Sequence, residues 1–581
     1  MSRKIVFIAI AAMLVLSAGF RYALHYNNAP AELAKAIAHK KQLVMQCSPD
    51  WSLVNEDSLA NSIGVLPGWG NYRWNINTPS DSARFYFNQG INMYYAFHII
   101  EAMASFKKAA LLDNNNAMIS WAIALAYGPN INDFAYAATP EAFAAAQKAL
   151  SLKINCTAAE KVLIDAMAVR YSSDSTVSRT SLNQLYTTAM KKAFQQFSSN
   201  ADIGTLYADA LMLQHPWDYW KHNGNAEPWT PELLAVLEGI LKLQPNHPGA
   251  NHYYIHSVEA SFNSKRAMAS ADRLGKLMPA VAHMIHMPSH IYIRNGKYKE
   301  GITVNEMSVT GYNSYVDLFP AVQNNIALYL IHNLHMQSNC AMMRANYSYS
   351  NNSALACRNS FDTSFLSFAA PLGTFIQYVY MTPLINDVRF GKWDNILQNA
   401  PVSDQHQYAA VLYHWARGMA FAGKQELIAA ANELKTMQEK MKGADMSVIM
   451  EPFNSPLAAA KVAEKILAGV IAEQEKNFTN AIAILTEAVT LEDQLIYNEP
   501  RDWLLPSREY LGNALLHAGN FAKAEIIFKE DLKENPATHW SLYPLYQCLL
   551  KQHKKAEATS IKTTLDKAFE GADITAGTIP F

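Results

Sequence analysis

One pattern constrains the fold of this chain more than any other: a small residue, a second small residue twelve positions on, a bulky apolar residue four after that, and often an alanine three further. Gly90, Ala102, Phe106 and Ala109 set it in "GINMYYAFHIIEAMASFKKAALLDN". Gly469, Ala481, Leu485 and Ala488 repeat it in "GVIAEQEKNFTNAIAILTEAVTLED", and Gly512, Gly519, Phe521, Ala524, Phe528 and Pro536 in "GNALLHAGNFAKAEIIFKEDLKENP". Looser copies run through 384–397 and 416–434. The spacing is that of a helical hairpin, in which small residues let two helices approach and bulky ones fill the groove between neighbouring pairs. A single hairpin cannot bury its own apolar side, so the copies must stack.

The pattern resembles the tetratricopeptide repeat, a helix pair of about 34 residues. The resemblance implies an all-α chain, an α-solenoid of helical hairpins stacked as a right-handed superhelix with a concave surface. Strand signals are weak throughout. Residues 24–80 read as a lead-in, helical at "AELAKAIAHKKQLVMQ" and irregular at "VLPGWGNYRW"; 81–499 read as degenerate repeats and 500–581 as the closing hairpins. At 581 residues, half apolar and 17% charged, the chain can bury a large core. With 48 basic against 49 acidic residues it has no net field to draw a phosphate backbone, so no nucleic-acid partner is expected.

Residues 1–23 have the layout of an export signal: Arg3 and Lys4, an apolar run from Ile5 to Ala18, then small residues. The same run is just long enough to serve as an uncleaved anchor, which would be the chain's one tie to a membrane. Either way the expected location is exported, periplasmic or cell-envelope associated. The cysteines, Cys47, Cys156, Cys340, Cys357 and Cys548, are odd in number and scattered. They read as buried thiols, with one Cys340–Cys357 bridge as the alternative.

Six of the eighteen histidines fall within residues 247–290. "HPGANHYYIHSVEASF" sets His252 and His256 four apart with Glu259 three further on, and "AVAHMIHMPSHIYIR" sets His286 and His290 four apart with His283 three before them. Residues four apart stand on one helix face, about 6 Å apart along the axis. On the repeat grid His252 and His286 take the fifth position, His256 and His290 the ninth, His283 the second and Glu259 the twelfth. In tetratricopeptide proteins those positions line the concave groove, so the resemblance implies that all six groups point into it. Neighbouring helices lie about 8–10 Å apart, close enough for the two pairs to converge on one ion or bracket two. Imidazoles suit zinc, copper or iron, so the expected cofactor is a divalent transition metal. Glu259 or His283 is then the candidate general base or the group that orients a ligand. The competing reading is a hydrogen-bonded histidine cluster without metal. Pro288, between His286 and His290, bends the helix and either shapes the site or obstructs the pairing.

Other candidates carry less. "QHPWDYWKHNGNAEPWTPELL" (214–234) reads as a structured loop, making Trp217, Tyr219 and Trp220 candidate ligand-binding residues. Glu509 and Asn513 fall at groove-facing positions and join them. His332 and His335, three apart, and His98, in a turn, read as structural. There is no GxSxG, no phosphate-cradling glycine loop and no HExxH, because Tyr253 follows His252 and Met287 follows His286.

With "FNQGINMYYAFHIIEAMASFKKAALLDNNNAMISWAIALAYGPNIN", "HPWDYW", "HPGANHYYIHSVEAS" and "HMPSHIYIRNGKY" in one chain, the sequence resembles a group of large exported bacterial tetratricopeptide proteins, over most of 83–560. That resemblance implies a fold and no single activity. Two functions are consistent with the residues. One is a solenoid that binds a peptide, protein or small ligand in its concave groove, with a histidine metal site. The other is a metal-dependent enzyme, hydrolase or oxidoreductase, using the same groove.

Overall fold

A computed structural model describes residues 51, 55–132, 140–221, 223–318, 323–449 and 453–574. The readings of the leader, of the helix at 31–46 and of Cys47 lie outside these residues. Among the described residues the chain is helical, with a single isolated bridge between Trp220 and Ala226. No described helix is long and apolar enough to cross a membrane. The helices that build the site are α1 (Asp81–Tyr95), α2 (Ile99–Leu112), α3 (Pro248–Val258), α4 (Ala282–His286), α5 (Pro288–Arg294), α6 (Tyr298–Leu318) and α7 (Gln323–Met343).

Consecutive helices pack against one another, α1 with α2, 407–423 with 427–440 and 456–474 with 478–492 as hairpins, and α6 with α7 between one hairpin and the next. The recurring grid explains why. A Cβ placed on Gly90 would come within 2.4 Å of the Phe106 ring, one on Gly469 within 2.5 Å of Leu485, and one on Gly512 within 2.5 Å of Phe528. In each clear copy the first small residue is thus the hollow into which the bulky residue sixteen positions later inserts. Gly512→Ala should therefore force the Phe528 ring aside and lower stability by about 1–3 kcal/mol. A urea melt unchanged by the substitution would contradict this packing.

The turns obey a second rule. Phe97, Gly296, Ala345, Gly391, Gln425, Lys476, Gly519 and His553 all have φ between 58° and 77°, and each stands two residues before the start of a hairpin's second helix. Glycine adopts this left-handed conformation without cost. A bulky residue there is exceptional, and Phe97 proves to have a reason for it.

The hairpins do not form one open spiral with contacts between neighbours alone. One core runs from Trp69 to Tyr312 and a second from Met342 to Ala558, with a small cluster around Ile293, Tyr298, Met336 and Cys340 between them. Late hairpins return to the middle of the chain. Tyr298 Oη donates to the Pro536 carbonyl at 2.8 Å, Trp540 Nε1 to that of Met342 at 2.9 Å, and Arg294 to that of Glu534 at 3.2 Å. Helix α3 also packs against α1, well over a hundred residues earlier. Buried Cys340 and Cys357 are free thiols, Cys357 donating to the Ile331 carbonyl, so the alternative bridge is not formed.

Candidate metal centre

The HxxxH pairs lie where local chemistry puts them. His247 caps α3, its Nδ1 accepting from the Ala250 N–H at 3.1 Å, and Pro248 occupies the first turn, where a missing N–H costs nothing. Pro288 divides the second pair's helix into α4 and α5. The bend is no obstacle: His286 Nε2 and His290 Nε2 stand 2.8 Å apart across it.

The histidines assemble into two trios. His252, His256 and His283 can each offer a ring nitrogen within 4.8 Å of the others, and so can His286, His290 and His332. Nε2 of His283 lies 3.1 Å from Nε2 of His252, and Nε2 of His332 lies 2.9 Å from Nε2 of His286. Ring centroids lie 4.9–5.0 Å from His252 to its two partners in the first trio and 4.6–5.5 Å apart in the second. Across trios, His256 and His290 approach to 5.7 Å and His283 and His286 to 6.1 Å, so the six rings form one cluster.

Hydrogen-bond partners fix which nitrogen faces inward. His252 Nδ1 is 2.7 Å from the Tyr95 carbonyl, which can only accept, so that nitrogen carries the proton. Asn305 donates its amide to the Gly301 carbonyl, leaving its oxygen to accept from His286 Nδ1 at 2.6 Å. Glu259 serves two rings, Oε1 3.1 Å from His256 Nδ1 and Oε2 2.5 Å from His290 Nδ1. All four histidines of the HxxxH pairs thus have Nδ1 facing an oxygen, through a hydrogen bond in His252, His256 and His286 and through an ion-pair contact in His290, which leaves Nε2 to face the other rings. Orienting a ligand imidazole through its other nitrogen is a recurrent feature of metal sites. A histidine network without metal leaves the buried His256 Nε2 and His283 Nδ1 with no hydrogen-bond partner among the described residues, while His290 Nδ1 and Glu259 Oε2 meet only as an ion pair; leaving such atoms unpaired is costly.

Burial holds His252, His283, His286 and His332 well below the ordinary imidazole pKa, and His256 below it. His290 is raised, because the Glu259 carboxylate outweighs its burial. Glu259 is itself brought down to about 2, His290 and His256 overcoming the desolvation. His335, beyond the trios, is lowered to about 4 by burial. A ring whose folded pKa lies below its unfolded one takes up its proton preferentially in the unfolded chain. Stability is therefore present above about pH 6.5 and lost as pH falls toward 4, by about 1.4 kcal/mol per pH unit for each such ring. Denaturant titrations of metal-free protein at pH 7 and pH 5 should show this loss; equal stabilities would contradict neutral burial.

The positions read from sequence come together, but not on an open wall. His252 and His286 have no exposed surface, and His256, His283, His290 and Glu259 have 5% or less. Three groups close over them. The Phe97 ring, displayed by its left-handed turn, packs 4.6 Å from His252 and 6.0 Å from His283. The Trp217 ring meets His256 edge-on at 5.0 Å. Trp220 pins the same loop to α3 by donating to the Ser257 carbonyl at 2.7 Å. The loop is structured, as expected from its prolines and tryptophans, although its last residues already belong to the helix that starts at Thr230. Tyr219 is buried beneath it. Of the two base candidates, His283 faces the ligand set, and Glu259 spends both oxygens on ring nitrogens. Glu509 and Asn513 lie elsewhere, in the second core: Glu509 is ion-paired to Arg389, and the buried Asn513 amide has no partner among the described residues.

Beside the cluster opens a cleft of about 470 Å³ whose lining includes Trp217, Trp220, Arg294, Tyr497 and Arg501. The Arg294 guanidinium lies 5.3 Å from the centre of the Tyr497 ring, and Tyr497 Oη donates to Glu499. Glu499 is raised by burial and drawn back by His290.

Sequence reasoning read His332 as structural and did not single out Asn305, yet the grid holds both. Taking each hairpin's second helix to start at Ser264, Tyr298 and Tyr347, His252 and His256 precede that start by twelve and eight residues, and so do His286 and His290. His283 and His332 precede it by fifteen in the next hairpin along. The two trios are therefore one arrangement repeated: two ligands from one hairpin and one from its successor. Asn305 occupies the place, sixteen after Ser289, that Phe106, Leu485 and Phe528 fill in the clear copies. A packing position has become the partner of His286. Phe97 had no signal beyond standing in a turn.

Neither a protein-family model nor a curated protein matches this chain. Solved structures of helical-repeat type are similar to it at low identity. The human IFIT1 dimer with m7Gppp-AAAA is 12% identical, with 86% of this chain and 92% of that one covered and a TM-score of 0.30. Yeast Tom70 is 10% identical over 84% and 90%, with a TM-score of 0.27, and the P58(IPK) TPR domain 9% identical over 81% and 99%, with 0.21. The chain is an all-α array of tetratricopeptide-type hairpins, a conclusion that rests on its own packing.

Proposed function

We propose that this protein is an exported metalloprotein in which a helical-repeat scaffold holds two transition-metal ions, one in each three-histidine trio. A ligand reaches them from the cleft beside Trp217 and Tyr497. The supporting observation is the inward set of Nε2 atoms, four of them on rings braced at Nδ1 by Tyr95, Asn305 and Glu259. Three imidazoles leave a metal at least one open coordination position, which is the requirement for catalysis and not for a purely structural ion. That observation favours the metal-dependent enzyme over the open-groove peptide binder, since the histidines are buried and a peptide laid on the concave surface would not touch them. Peptide or protein binding is carried by the repeat architecture alone. The leader-like residues 1–23 support export.

Elemental analysis of protein purified without chelator tests the reading. Two transition-metal ions per chain are expected, falling to one in His252→Ala and one in His286→Ala. Less than a tenth of an ion per chain, with no uptake from added metal, would remove the metal centre and leave a scaffold.

A further inference from the structure

The donor set narrows the metal and its chemistry beyond a generic pair of ions. We infer that the two trios hold copper, and that the pair reacts as a unit with dioxygen. The inference rests on the metal-pair reading above.

All six donors are imidazole nitrogens, which bind a metal as neutral rings. Glu259 spends its two oxygens on the outer nitrogens of His256 and His290, by a hydrogen bond and an ion pair, and so does not bridge the ions. A pair of divalent hard ions in such a buried place would have four positive charges and no anionic ligand from the protein, which is unfavourable. Two Cu(I) ions bring half that charge, and three neutral nitrogens satisfy a low-coordinate soft ion. For nitrogen sites copper also stands at the top of the divalent affinity order, so the oxidised pair is retained as well. The trios are contiguous, with His256 against His290 and His283 against His286, which puts the two ions within reach of a single small molecule. Phe97 and Trp217 pack over the cluster, a setting suited to a small neutral gas.

The step balances without an outside reductant once the pair is reduced. Each Cu(I) gives up one electron, two Cu(II) result, and dioxygen becomes a bound two-electron-reduced O₂²⁻ unit whose O–O bond order falls from two to one. No proton moves. Glu259 acts as a positioning residue, keeping Nε2 of one ring in each trio turned toward its metal.

The test uses the full-length chain with its native metal removed. It is loaded anaerobically with two equivalents of Cu(I), then titrated with dissolved oxygen while uptake, charge-transfer absorption and electron paramagnetic resonance are followed. One O₂ per chain, a new charge-transfer band and no paramagnetic signal are expected, because two adjacent Cu(II) ions bridged by one unit couple. His332→Asn, which removes one ligand from the second trio only, should abolish O₂ uptake while leaving one copper bound with an ordinary paramagnetic spectrum on oxidation. Two coppers bound with no oxygen uptake, or two independent paramagnetic centres in the unsubstituted chain, would overturn the inference while leaving a metal pair in place. So would exclusive retention of zinc when copper and zinc compete. Failure to bind any metal would instead remove the reading beneath it. The decisive outcomes are read on the unsubstituted chain, so misfolding of the variant leaves the test intact.

Discussion

Replacing Glu259 with glutamine should weaken metal binding at both trios at once, by about 10–100-fold at each, the usual effect of losing a group that orients ligand imidazoles. The carboxylate holds one ring of each trio, His256 through Oε1 and His290 through Oε2. Glutamine can accept at one of those nitrogens but presents an N–H to the other, which collides with a ring N–H. Asn305→Ala removes the brace of His286 alone, and its effect should be confined to the second trio. Titrating each variant with metal against a competing chelator distinguishes them: both steps displaced in Glu259→Gln, one in Asn305→Ala. If Glu259→Gln shifted a single step, Glu259 would not be the shared brace.

The largest stability effect is expected far from the metal. Arg389 and Glu509 form an ion pair in which neither side chain has any exposed surface, and the guanidinium lies 4.3 Å from the centre of the Trp540 ring. Glu509→Ala leaves the arginine charge buried without its counterion, at a cost of about 3–5 kcal/mol. Replacing both, as Arg389→Met with Glu509→Leu, should recover most of that loss, because a buried pair and an apolar pair of similar volume are close in stability. Denaturant melts of single and double variants decide it; a double variant as unstable as the single one would assign the pair a role beyond mutual neutralisation. Glu509 was singled out from its groove-facing grid position as a candidate ligand contact, and in the structure it is paired with Arg389.

That case shows where sequence reasoning stopped. Grid position tells which way a side chain leaves its helix, and it brought His252, His256, Glu259, His283, His286 and His290 correctly to one hollow. It does not tell what covers the hollow, since that depends on contacts between residues far apart in the chain. The loop bearing Trp217 and Trp220 and the turn bearing Phe97 close over what would be open groove in a uniform array. For the same reason Glu509, equally groove-facing, is sealed in a second core. His332 was legible in principle, because it stands at the position of His283 one hairpin on. That register could be fixed only by the start of the next second helix, Tyr347, whose sequence "YSYSNNSALACRN" has Ala354 where the clear copies carry a bulky residue. The Tyr95 carbonyl that orients His252 is a backbone group, and no side-chain pattern announces it. The hairpin architecture, by contrast, was fully legible, since Gly90, Gly469 and Gly512 encode the contact that creates it.

The central claim is that one arrangement of three imidazoles occurs twice, shifted by one repeat. Anomalous diffraction from crystals of the natively purified chain, collected on either side of the metal absorption edge, tests it most directly. Two peaks are expected, one among Nε2 of His252, His256 and the facing nitrogen of His283, the other among Nε2 of His286, His290 and His332. A single peak shared by all six rings, peaks at other residues, or none at all in a metal-replete crystal would contradict it.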